Sequence, residues 1–140
     1  MRIQRVLCCF VMIVMWSIVG CSSLNDAVNF TGTFRLIEYP EQAQYRVQVF
    51  VLTQQGEQIT GTYSKGETFS DSQWNCAYDI TGTVILLGSA ELTLTLTSAN
   101  PPGTTSCESE PTFTLNVALQ NDGDVLYVSE WDLEIPRVDE

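Results

Sequence analysis

The pattern of apolar and polar positions divides the chain into one unbroken apolar run near its start and a long stretch in which the two kinds alternate. Residues 6–16 are apolar throughout and follow the positively charged Arg2 and Arg5. That run falls short of the roughly 20 residues a permanent membrane-spanning helix needs. From Phe30 onward the period is two almost everywhere, which is how a strand with one buried face reads. The clearest case is residues 90–97, where Ala90, Leu92, Leu94 and Leu96 alternate with Glu91, Thr93, Thr95 and Thr97. Similar alternation covers residues 30–39, 45–53, 58–64, 76–87, 112–119 and 125–135. These segments predict seven strands, and no stretch beyond Cys21 predicts a helix of ordinary length.

Turn chemistry predicts that neighbouring strands pair as hairpins. Gln54-Gln55-Gly56-Glu57 joins the second and third strands, Gly88-Ser89 the fourth and fifth, and Asn121-Asp122-Gly123-Asp124 the sixth and seventh. Two longer connections, residues 65–75 and 98–111, interrupt this series. The expected fold is therefore all-β: an antiparallel meander of seven to eight strands forming a small β-barrel, with a two-sheet β-sandwich as the alternative. The eighth strand arises if residues 125–135 bend or if the Trp74 region pairs. In a sandwich, Glu130, Asp132 and Glu134 on one face of the last strand would guard an open edge.

A short motif recurs as Thr31-Gly32-Thr33-Phe34, Thr60-Gly61-Thr62-Tyr63 and Thr81-Gly82-Thr83-Val84. Glycine within a strand removes a side chain where a sheet bends or another backbone approaches, as at the corners of small barrels. Over residues 30–84 these Gly-Thr-aromatic segments resemble the avidin-like and lipocalin-like barrels, and the resemblance implies a barrel. Biotin binding is not implied, because no biotin-site residue set matches beyond Tyr63 and Ser64.

Directly after the apolar run comes Ile18-Val19-Gly20-Cys21, which resembles the lipobox of bacterial lipoproteins. The resemblance implies a signal peptide over residues 1–20, removed before Cys21, and a diacylglycerol on the Cys21 sulfur with a further acyl chain on its amine. Two or more chains anchor a protein stably where one does so only marginally. Ser22, rather than Asp, follows the lipidated cysteine and implies delivery to the outer membrane, with the protein facing the periplasm. Residues 21–29 read as the lipidated cysteine and a polar tether, reaching at most about 30 Å. Residues 30–140 read as a single β domain, a length sufficient for one core and not for two.

Cys8 and Cys9 leave with the signal and Cys21 is consumed by lipid, so Cys76 and Cys107 remain. In an oxidising compartment they are expected to form a disulfide. All 17 acidic residues lie beyond Cys21, against Arg35, Arg46, Lys65 and Arg137. Such a domain repels nucleic acid and anionic lipid surfaces alike, leaving the Cys21 lipid as its expected contact with a membrane.

The chain contains no histidine, so a Ser-His or Cys-His nucleophile pair is absent, and no phosphate loop or metalloprotease helix occurs. A two-carboxylate glycosidase needs only carboxylates, but alternate residues such as Glu130 and Asp132 read as a solvated strand face. Residues 121–124 have the oxygens and the glycine of a calcium loop, yet lack its remaining ligands and read more simply as a hairpin. No enzyme, cofactor or metal is expected. The candidate contact residues are aromatic: Tyr63 in the third strand, Trp74 in the first long connection, Tyr78 in the fourth strand and Trp131 in the last. Two functions fit this set. One is a non-catalytic scaffold that contacts an envelope protein, which the bulky Leu, Val, Ile and Phe at inward positions favour. The other is a periplasmic barrel that holds a small apolar or amphipathic molecule, which a roomy, aromatic-lined interior would favour.

Overall fold

The structure, a computed structural model, describes residues 29–39, 45–68, 73–102, 107 and 111–139. The signal peptide and Cys21 expected from the sequence lie outside the described residues. Eight antiparallel strands run in sequence order and close on themselves: β1 (Gly32–Glu38), β2 (Tyr45–Gln55), β3 (Gln58–Thr68), β4 (Gln73–Leu86), β5 (Ser89–Asn100), β6 (Thr112–Gln120), β7 (Val125–Val128) and β8 (Leu133–Val138). The barrel expectation holds, and closure leaves no sheet edge for the sandwich alternative to protect.

The eighth strand comes from a break in the last predicted one. After β7 the chain makes a single 3-10 turn at Ser129–Trp131, passes through Asp132 in the left-handed region (φ 47°), and returns as β8. Glu130 and Asp132 therefore do not share a strand face with Glu134, and their carboxylates serve the turn instead.

Alternation decides what fills the interior. Phe34, Phe50, Leu52, Ile59, Ile80, Leu92, Leu94, Leu115, Leu126 and Ile135 are fully buried, one face of each strand contributing. Two of the recurrent glycines face inward between large neighbours. Gly61 pairs with Leu52 and Ile80, and Gly82 with Ile59 and Leu92. A Cβ at Gly61 would fall on the Val51 carbonyl oxygen, and one at Gly82 would lie 2.6 Å from the Glu91 carbonyl oxygen. Strands can approach and coil this closely only where a side chain is missing.

Closure itself is brief. β1 and β8 share only the pairs Thr33–Val138 and Phe34–Arg137. Arg137 reinforces them by donating to three carbonyls from two other segments: Gly123 (2.8 Å), Asn29 (3.1 Å) and Thr31. Its guanidinium also lies over the Phe34 ring, 4.6 Å from the centroid. Beside it Phe30 is fully buried and plugs this end, with its N–H donating to the Gln54 side chain at 3.0 Å.

The two ends of the barrel thus differ. The chain entry at Phe30, the β2–β3, β4–β5 and β6–β7 connections and the C-terminus lie at the plugged end. The opposite, open end carries the ends of β1, β3 and β5, the starts of β2 and β4, and the Ser129–Trp131 turn. Cys76 on β4 is bonded there to Cys107, with a Cα separation of 5.8 Å. The expected disulfide is present and ties the β5–β6 connection to the open end; across 31 residues such a crosslink stabilises by about 3 to 4 kcal/mol in the chain-entropy treatment.

Leu94 is buried and its neighbour Thr95 exposed. Leu94→Ala should cost about 2 to 5 kcal/mol in urea unfolding, and Thr95→Ala well under half as much. Arg137→Lys should cost about 1.5 to 3 kcal/mol despite keeping the charge, because an ammonium cannot reach three carbonyls as the planar fork does. Equal midpoints for wild type and Arg137→Lys would show that the seam does not depend on that fork.

Candidate functional site

The open end holds a cup of about 470 Å³ lined by Glu38, Arg46, Gln48, Tyr63, Lys65, Glu67, Trp74, Trp131 and Leu133. Strand parity puts these residues inside. Arg46 and Gln48 share the face of Phe50 and Leu52 on β2, Lys65 and Glu67 that of Tyr63 on β3, and Trp74 that of Cys76 and Tyr78 on β4. The strands run beyond the apolar level of the barrel, so their inward faces turn polar.

Register organises the cup into levels. Glu38 pairs with Arg46, Arg46 with Glu67, and Glu67 with Trp74, giving one row across four strands at the rim. Arg46 donates from Nε (3.1 Å) and Nη2 (2.8 Å) to Glu67 Oε1, and from Nη1 to Glu38 Oε2 at 3.4 Å. The other oxygen of Glu67 accepts from Trp74 Nε1 at 2.9 Å. Partial burial pulls the Arg46 pKa down, but the Glu67 hydrogen bond and the charges of Glu67 and Glu38 outweigh it and hold it above its ordinary value. The guanidinium stays charged.

One level down lie Gln48 and Lys65, paired across β2 and β3. Gln48 Oε1 accepts from the Tyr63 hydroxyl at 2.8 Å, which joins the polar wall to the floor. The floor is aromatic. Tyr63 stacks on Phe50 with centroids 4.3 Å apart, and Trp131 lies 5.5 Å from Tyr63 and 6.2 Å from Phe50.

Trp131 reaches the floor because its turn is clamped from both sides. The Glu130 carboxylate accepts from the Asn116 backbone N–H (2.9 Å) and from Asn116 Nδ2 (2.6 Å). The Tyr127 hydroxyl donates to Asp132 Oδ1 at 2.9 Å, and this bond, with the Asp132 charge, raises the Tyr127 pKa. The hydroxyl therefore keeps its proton at neutral pH.

Of the four aromatic residues singled out in the sequence, three meet here: Tyr63 in the floor, Trp74 at the rim and Trp131 from the far wall. Tyr78 does not line the cup. It is buried beside Tyr63, its partner across β3 and β4, with the rings 5.6 Å apart, and is edge-on to Phe113 at 5.4 Å. Trp74 also differs from its expected place, since it lies on β4 and not in a connection. The five polar lining residues Glu38, Arg46, Gln48, Lys65 and Glu67 were not anticipated; continuing the period of two past Phe50 and Tyr63 toward the open end would have found all of β2's and β3's share. Residues 121–124 form the β6–β7 turn, with φ of 50° at Asn121 and 57° at Asp122. Among the described residues no group of three or more Cys, Asp or Glu is arranged to hold a metal ion.

No protein-family profile, curated protein or solved structure matches this chain.

Chemically, the cup sets both signs of charge and the Gln48 amide above flat aromatic faces. Glu67→Ala should cost about 1 to 3 kcal/mol and leave the barrel folded, because the Glu67 side chain is only 15% exposed and both Arg46 and Trp74 lose their acceptor. It should also raise acrylamide quenching of Trp74, while Trp131, packed on Phe50 and Tyr63, is unchanged; single-tryptophan variants measure each separately.

Proposed function

We propose that this protein is a membrane-anchored envelope lipoprotein whose barrel is a non-catalytic binding module for a small neutral or zwitterionic amphipathic molecule. The cup carries this reading. Its volume of about 470 Å³ falls in the range of small-molecule sites, and eight strands enclose an interior suited to one such ligand. An apolar face of the ligand lies on Tyr63, Trp131 and Leu133, and its polar groups meet Gln48, Lys65 and the rim row. Both signs of charge are present there, within a domain that is otherwise strongly acidic. A polyanion is repelled before it arrives; a neutral or zwitterionic molecule is not.

The carboxylates of Glu38 and Glu67 are both engaged by Arg46, which supports binding over acid-base chemistry. Anchoring rests on Ile18-Val19-Gly20-Cys21, and localisation to the periplasmic face of the outer membrane on Ser22. The scaffold reading has one observation in its favour, the complete packing of the plugged half of the barrel. Under it the cup would receive a side chain or loop of an envelope protein.

Trp74 and Trp131, the only tryptophans beyond Cys21, both line the cup, so intrinsic fluorescence reports its occupancy. Protein extracted gently from envelopes should show a ligand-sized mass increment by native mass spectrometry. The released compound should shift tryptophan emission on titration, with about tenfold weaker binding in Gln48→Ala. Absence of any increment, together with capture of one envelope protein that Gln48→Ala abolishes, would select the scaffold. Cys21→Ser should end labelling by fatty acid, and continued labelling would refute the anchor.

A further inference from the structure

The β4–β5 hairpin at the plugged end exposes three consecutive large aliphatic side chains: Ile85 (58%), Leu86 (71%) and Leu87 (67%). They are held out by a tight turn through Gly88, whose φ of 76° favours glycine. A register irregularity between Val84 and Leu86 takes the tip out of the inward-outward alternation that buries the rest of β4. None of the three belongs to the barrel core or packs on it. Exposed aliphatic residues in sequence cost solubility and mark a contact surface.

Where the chain enters identifies the contact. Phe30 and the N-terminal end of β1 lie at this same end of the barrel. Only seven residues lie between Cys21 and Asn29, at most about 30 Å of chain. We propose that Ile85, Leu86 and Leu87 insert into the interfacial layer of the bilayer that holds the Cys21 lipid, seating the plugged end on the membrane and turning the cup away from it. This rests on the proposed lipid anchor. The other connections at that end carry Glu57, Asp122 and Asp124, and Asp139 follows β8, so the surface seated best is a zwitterionic one. Ile37 on β1, Tyr39 just past it and Tyr45 at the start of β2 are also exposed, but they lie at the end of the barrel opposite the chain entry.

The test uses the lipidated, disulfide-bonded protein in phosphatidylcholine vesicles, with one added cysteine labelled by bimane. Leu86→Cys and Gln73→Cys place the probe at opposite ends of β4, about 40 Å apart along an extended strand. Both positions are exposed, so neither change should disturb folding, which circular dichroism and the intact disulfide check. Quenching by a lipid with a nitroxide high on its acyl chain should be about threefold or more stronger at Leu86 than at Gln73, as an insertion of 5 to 10 Å requires. Equal quenching, stronger quenching at Gln73, or a Leu86 probe fully open to aqueous iodide would overturn the proposal. The mass of the N-terminal peptide is read from the same sample. If Cys21 carries no lipid, the anchoring reading fails; if it carries lipid and the Leu86 probe remains in water, only the seating fails.

Discussion

The fold depends on a seam of two residue pairs. A meander of eight strands is only a curled sheet until β1 meets β8, and an open sheet would expose two edges and the apolar face that Phe34, Phe50 and Leu92 now bury. The backbone ladder there is too short to hold by itself. Arg137 ties the entering chain at Asn29 and Thr31, the β6–β7 turn at Gly123 and strand β8 through one rigid fork, while its charge rests on the Phe34 ring. The break after Val128 serves the same end. An undivided seventh strand would run parallel to β1; the turn at Ser129–Trp131 divides it in two, so that β7 pairs with β6 and β8 returns antiparallel to β1.

Closure then fixes an interior of limited width, and the sequence uses the two halves differently. Toward the plugged end, glycine opposite leucine and isoleucine lets large side chains interdigitate, and Phe30 seals what remains. Toward the open end the same inward positions are occupied by Glu38, Arg46, Gln48, Lys65 and Glu67. Charged groups are tolerated there because water reaches them and because they bond sideways along the row, Arg46 to Glu38 and Glu67, and Glu67 to Trp74. The aromatic level formed by Phe50, Tyr63 and Trp131 separates the dry half from the wet one.

This division explains what could be read from the sequence. Alternation in residues 90–97 specified a half-buried strand because a slip of one residue would turn Leu92 and Leu94 to water, and the order of hairpins followed from Gly56, Gly88 and Gly123. The pairing of Cys76 with Cys107 followed from elimination. The cup was less legible because polarity at Arg46, Gln48, Lys65 and Glu67 reads locally as solvent exposure or as the end of a strand. Only closure makes those positions interior, and closure is a property of β1 and β8 that no local pattern carries. Trp74 was misplaced for the same reason: Ser72, Gln73 and Asn75 beside it read as a connection, whereas its parity with Cys76 and Tyr78 was the informative feature.

Charge placement gives the barrel a direction. Of the four basic side chains beyond Cys21, Arg46 and Lys65 face the cup and Arg137 is engaged at the seam, which leaves Arg35 on the outer wall, where Asp79, Glu91 and Glu134 are the acidic strand positions among the described residues. The outer wall is therefore anionic, whereas the cup presents cationic and anionic groups side by side. At physiological ionic strength the exterior field decays within about 8 Å, so it governs approach and not the bound state. Under the proposed binding function, a ligand would be admitted on its net charge by the wall and retained on its local hydrogen bonds by the cup. These two requirements are met together by a molecule whose charges cancel, or are absent, and whose ring or chain lies flat on Tyr63 and Trp131.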